Sequence, residues 1–188
     1  MWLRTAPICL PVALLMSACT AQHSGDLSRL PATPHAVDKT RTPLLSQQET
    51  RKLLDTGQFK SSDAHFSAVQ ADYESGASND EDLRAAFRVF YDTDPALAPE
   101  YAKWVSQFPK SYMAHLARGL YYTEIGEQSR GAKALSETPG QRIEEIEATF
   151  HKAIPGLNAS LSLDRKPLLT YLYELFIANH GGDLKKNR

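Results

Sequence analysis

Cysteine is nearly absent from this chain. Cys9 and Cys19 are the whole complement, so the sequence beyond residue 19 can form no internal disulfide. An excess of charge is missing too. Lys plus Arg total 21 and Asp plus Glu total 22, which gives no electrostatic footprint for nucleic acid. Paired cysteines, HExxH, Gly-x-Ser-x-Gly and a Gly-rich phosphate loop do not occur, so the common metal, serine-hydrolase and nucleotide signatures are excluded. His65, His115, His151 and His180 show no ligand spacing, and no metal or other cofactor is expected. No apolar run is long enough to span a bilayer, and neither an alternating strand pattern nor an Asn-Gly hairpin is found. What remains is ordinary globular composition, 42% hydrophobic and 23% charged over 188 residues, enough for one domain with a full core.

The N-terminus has a character of its own. Met1 to Arg4 carries one positive charge, and Ala6 to Ala18 reads "APICLPVALLMSA" without any. That is the length of the apolar part of a secretory signal. Ser17 and Ala18 suit a signal-peptidase pocket, and Cys19 follows them. Leu15-Met16-Ser17-Ala18-Cys19 resembles the bacterial lipobox, with Met16 where Leu is more usual. The resemblance implies a signal peptide over residues 1–18, lipidation of Cys19, and stable anchoring by several acyl chains. Lipidation would also remove a thiol that has no partner in an oxidising compartment. Thr20, rather than Asp, follows the cysteine, which by the same analogy implies the outer membrane, facing the periplasm. The alternative is ordinary cleavage near Ala18 or Ala21 beside a chance cysteine.

Residues 19–43 then read as a lipidated N-terminus and flexible tether, rich in Ser, Thr, Pro and Ala without apolar period. His23 and His35 are read as solvated linker residues. From Leu44 to Arg188 the pattern is helical. Ser46 and Glu49 form a capping box whose helix stops near Gly57. Ser62-Asp63 is expected to cap a second helix closed by Gly76, with Phe66, Val69 and Tyr73 on one stripe. Ser78 and Glu81 repeat the box before Leu83, Phe87 and Phe90. Asp94-Pro95 opens a helix that Pro109 ends, and Ser111 opens another expected to end near Gly126. Thr138-Pro139 starts a helix that Pro155 should break, and the last helix spans about Pro167 to Asn179. The fold class is therefore all-α, a bundle or degenerate tetratricopeptide-like solenoid of six to seven helices. "LLDTGQFKSSDAHFSAV" and "FHKAIPGLNASLSLDRKPLLTYL" look like isolated hairpins of such repeats, with no clean period between them.

The segment Asp82 to Gly131, with Phe90-Tyr91-Asp92, Trp104, Ser111-Tyr112, Ala117-Arg118-Gly119, Tyr121-Tyr122 and Arg130-Gly131, resembles a proteobacterial family called domain of unknown function 4034. The likeness takes in "LLDTGQF" and "KPLLTYLYE" and implies a helical envelope protein. The family carries no established activity, so no mechanism comes with it.

On the helix from Ser111, positions 115, 118 and 122 share a face, which makes His115, Arg118 and Tyr122 a polar-aromatic ridge opposite Met113, Leu116 and Leu120. With Arg130 they are the candidate partner-binding residues, suited to an acidic or aromatic group. The bland reading pairs Arg118 with a carboxylate such as Asp92 or Asp94. Gly119 in mid-helix costs about 1 kcal/mol relative to Ala, so close approach of a neighbouring helix or ligand is expected there. Glu144, Glu145 and Glu147 are read as a solvated face in the first two turns of their helix rather than as a carboxylate pair. The functional expectation is a non-catalytic envelope lipoprotein that binds a protein or peptide partner, in an immunity or assembly role. The alternative is a periplasmic cell-wall hydrolase using a carboxylate pair in a cleft with Tyr122.

Overall fold

A computed structural model describes residues 41–131, 140–164 and 166–180 of the chain. Cys19, the signal segment, nearly all of the tether and the Thr138-Pro139 helix start lie outside the described residues. Among the described residues there are seven α-helices and no strand: α1 (Gln47–Asp55), α2 (Phe59–Ser75), α3 (Asp80–Phe87), α4 (Ala98–Gln107), α5 (Tyr112–Arg130), α6 (Gly140–Leu161) and α7 (Leu168–Asn179). Two 3-10 turns, Arg88–Tyr91 and Pro95–Leu97, connect α3 to α4. The protein is an all-α bundle. No described helix is long and apolar enough to cross a membrane.

Several helix ends follow from capping chemistry. The Ser46–Glu49 capping box forms in full. Gly76 closes α2 in the left-handed conformation, which only glycine adopts without penalty. Asp94 accepts from the Ala96 amide before Pro95, and Ser111 Oγ accepts from the Ala114 amide at 3.0 Å.

Other ends differ from the sequence reading. α2 begins at Phe59, one turn before Ser62-Asp63. Phe59 is 1% exposed, so burial starts the helix earlier than its polar residues suggest. Ser62 is buried with its hydroxyl on the Gln58 carbonyl, and Asp63 accepts from Ser111 Oγ. α3 is capped by Asn79, not Ser78, through the amides of Glu81 and Asp82 at 2.9 and 3.0 Å. α5 passes Gly126 and runs to Arg130, and α6 passes Pro155 and runs to Leu161. Tertiary contact overrides the breakers in both places.

That contact is the close packing of α5 on α6. A Cβ on Gly119 would lie 2.6 Å from Leu157 Cδ2, and one on Gly126 would lie 2.5 Å from Phe150 Cε1. A Cβ on Gly156 would lie 2.9 Å from the His115 carbonyl oxygen. The pairs 115–156, 119–157 and 126–150 run in opposite directions, so the helices are antiparallel. Three glycines let two long backbones meet. α5 is buried on most sides, including Met113, Leu116, Gly119, Leu120, Tyr121 and Thr123.

The rest of the core is aromatic. Phe66 and Phe90 stand 4.6 Å apart, Tyr101 and Tyr121 4.8 Å, and Phe59 stacks on Trp104 at 6.5 Å. Arg51 of α1 holds Asp92 at 3.0 Å and Asp94 at 2.7 Å, tying α1 to the connection before α4. At the edge of the expected tether, Arg41 pairs with Asp82 and the Thr42 amide donates to Asp72 at 2.7 Å.

Candidate functional site

The residues singled out on α5 come together only in part. The Arg118 guanidinium lies 5.8 Å from the centre of the Tyr122 ring, so this pair does form a ridge. The Tyr122 ring in turn meets Tyr121 edge-on at 5.0 Å. Arg118 Nε is buried and meets no hydrogen-bond acceptor among the described residues. His115 turns away, with Nε2 3.0 Å from the Pro109 carbonyl. Arg130 forks onto Glu127 of its own last turn at 2.9 and 2.6 Å. Asp92 and Asp94, the carboxylates considered for Arg118, belong to Arg51 instead. The Asp94 carboxyl is held below the usual range by the Ala96 amide and then by Arg51.

The concave site lies elsewhere, between α3, α5 and α7. A cavity of about 280 Å³ is walled by Phe87, Leu169, Leu172 and Phe176. Tyr91 and Tyr173 complete the wall, their rings 6.4 Å apart and near-perpendicular, with the Tyr173 hydroxyl donating to that of Tyr91. Two charged residues line the cavity, Arg84 and Glu124. Arg84 is exposed and its Nε donates to the Asp80 carbonyl at 3.3 Å. Glu124 is half-buried, and among the described residues no ion pair or hydrogen bond engages its carboxyl.

Electrostatics follow from this placement. Burial first, then repulsion from Glu127, pushes the Glu124 carboxyl up to about 6. Burial raises both tyrosine hydroxyls, and the pair bond opposes that rise at Tyr91. Such a site can hold an apolar body and present one carboxylate to it. No group of His, Cys, Asp and Glu among the described residues could hold a metal ion.

Sequence reasoning passed over Glu124, Tyr91 as a site residue, and Tyr173. One signal was present: α7, "LLTYLYELFIAN", is apolar on nearly every side. A helix of that kind is either buried all round or partnered. Here Tyr171 and Leu175, one turn apart on the helix that supplies Leu169, Leu172, Tyr173 and Phe176 to the cavity, are each 58% exposed. Of the residues that carry the family resemblance, Tyr91, Leu169, Leu172 and Tyr173 line the cavity, and others behave differently. Phe90, Trp104, Ala117 and Tyr121 are almost wholly buried and Gly119 sits in the α5–α6 seam, so they specify packing rather than a site. No family model matches the chain, and no curated protein and no solved structure matches it.

Proposed function

We propose that the chain is a lipid-anchored envelope protein whose helical domain binds a protein or peptide partner and performs no chemistry of its own. The observation that carries this reading is the aromatic cavity walled in part by α7, a helix that also leaves Tyr171 and Leu175 exposed. A concave, mostly apolar cavity with a single convergent carboxylate is the usual form of a binding site. The lipobox-like run ending in Cys19 supports a lipid anchor, and Thr20 supports the outer membrane facing the periplasm. The motif residues between Phe90 and Gly131 support kinship with the domain of unknown function 4034 family. An immunity or assembly role fits this reading, and an adjacent gene for a secreted hydrolase would favour immunity.

One observation speaks for the hydrolase alternative. Glu124, with its carboxyl raised to about 6, has the protonation behaviour of a general acid. Glycoside hydrolysis also needs a second carboxylate roughly 5–10 Å away. Glu127 is the near acid on α5, and Arg130 engages both of its oxygens.

Two experiments test the proposal. Cys19→Ala should abolish labelling by a palmitate analogue and release the protein from membrane fractions. Continued labelling and pelleting would refute the anchor. Pull-down from envelope extract should capture a partner that Tyr171→Asp loses. Turnover of cell-wall glycan that disappears in Glu124→Gln would instead establish the hydrolase.

A further inference from the structure

We propose that the α3–α5–α7 cavity binds an organic ammonium group on an aliphatic stem, with the stem against the rings and the charge on Glu124. The proposal rests on the partner-binding reading and specifies its chemistry. A carboxylate taken partly out of water without a counter-ion is unfavourable unless a ligand supplies one. Glu124 is in that position. Among the described residues no ion pair engages its carboxyl, and nearby Glu127 carries the same sign.

The groups facing the cavity can be taken element by element. From α3, Arg84 lines the cavity but is exposed, its Nε donating to the Asp80 carbonyl of its own helix. From the following turn, Arg88 is exposed and acts on both tyrosine hydroxyls, as Arg84 does on that of Tyr91. From α5 there is Glu127, occupied by Arg130. From the end of α7, His180 stacks on Phe176 at 4.0 Å and its Nδ1 meets the Phe176 carbonyl at 2.6 Å. Among the described residues none of these cations forms an ion pair with Glu124.

The walls suit the same ligand. Phe87, Tyr91, Tyr173 and Phe176 present π-systems, which attract ammonium groups when water is excluded. Leu169 and Leu172 offer apolar contact for a stem. A neutral apolar ligand would fill the walls and leave Glu124 desolvated, and an anion would meet it with repulsion. A lysine side chain and a free alkyl amine share the chemistry that fits.

The test is titration of the full chain with n-butylammonium and, separately, n-butanol, followed on the methyl resonances of Leu169 and Leu172. Butylammonium should saturate at about 1–10 mM, the range of a fragment-sized ligand. Butanol should bind at least about tenfold more weakly, and Glu124→Gln should bring butylammonium down to the butanol level. An arm without any substitution lowers the pH from 7.5 to 5. Glu124 gains its proton across that range, so affinity should fall about tenfold. A lysine peptide blocked only at its N-terminus, with the side-chain ammonium free, identifies a protein partner as the source if it binds more tightly than butylammonium, and weaker binding identifies a free amine. Equal affinity for butanol and butylammonium, insensitivity to Glu124→Gln and to pH, or no saturation overturns the proposal. A partner captured from envelope extract equally by wild type and Glu124→Gln overturns it while leaving partner binding intact. Saturable butylammonium binding with no captured partner has the reverse meaning.

Discussion

Gly156→Ala should destabilise the protein even though alanine is the better helix former. In an open helix this substitution would gain about 1 kcal/mol. Here the new methyl would sit 2.9 Å from the His115 carbonyl oxygen and 3.4 Å from the Gly119 nitrogen, both backbone atoms of α5. A side-chain obstacle could rotate away, but a helix backbone cannot. α6 must therefore move off α5 by roughly half an ångström, and a gap of that size forfeits a quarter or more of each contact along the seam. Leu157, Ile154 and Ala153 are all at most 1% exposed and all share the loss. Overpacking and lost contact together amount to about 3–4 kcal/mol, against a gain of about 1, for a net loss of about 2–3 kcal/mol. Thermal melts by circular dichroism should show a fall of about 5–10 °C. Gly140→Ala is the control, because nothing lies within 4 Å of its Cβ position, and it should lose nothing. Gly119→Ala should fall between the two, since its obstacle is the Leu157 side chain. A Gly156→Ala protein as stable as wild type would refute the close antiparallel seam.

Three further outcomes are expected. Glu124 has a folded-state value of about 6, above its ordinary 4.5, so its stabilising protonation is complete below about 4.5 and lost as pH rises through 6. Glu124→Gln should therefore melt like wild type in acid and higher than wild type at pH 7.5. The difference should be about 1 kcal/mol, after discounting a shift worth about 2 for solvent screening, and the sign of that gap in pH-dependent melts is the check. Arg51→Ala should lower the melting temperature at neutral pH and converge with wild type as pH drops below the usual carboxylate range, because Asp94 is held low and loses its contribution on protonation. Parallel melting curves down to pH 2 would argue against the Arg51–Asp92–Asp94 tie. Arg118→Ala should change stability by no more than about 0.5 kcal/mol in urea titrations, since Arg51 rather than Arg118 holds Asp92 and Asp94.

Local chemistry made much of the helical pattern readable. Ser46 with Glu49, Asp94 with Pro95, Ser111 and Gly76 mark ends with groups that act within a few residues, and the helices begin or stop beside them. Gly119 was readable as a point of close approach because its helix-propensity penalty needed an offset. The errors arise where distant residues decide. Gly126 looks like a stop until Phe150 is placed against it, and Pro155 looks like a break until its neighbour Gly156 is placed on α5. Ser62 has the chemistry of a cap, but the burial of Phe59 carries α2 past it. The ridge of Arg118 and Tyr122 was legible from helical spacing. The cavity was not, since nothing local relates Arg84, Glu124 and Tyr173 before the chain folds.

That last point bears on the order in which the molecule is built. The walls of the cavity come from residues 84–91, from 124, and from 169–176. α5 and α6 are successive helices and can zip together before α7 has emerged from the ribosome. The cavity cannot exist at that stage, because a large part of its lining is still to come. A chain clipped between α6 and α7 would keep its spine and have no receptor. An occupant seated across all three stretches would act as a rivet, fastening the final helix to the older part of the bundle and slowing its detachment. Occupancy would then report that the chain had been finished.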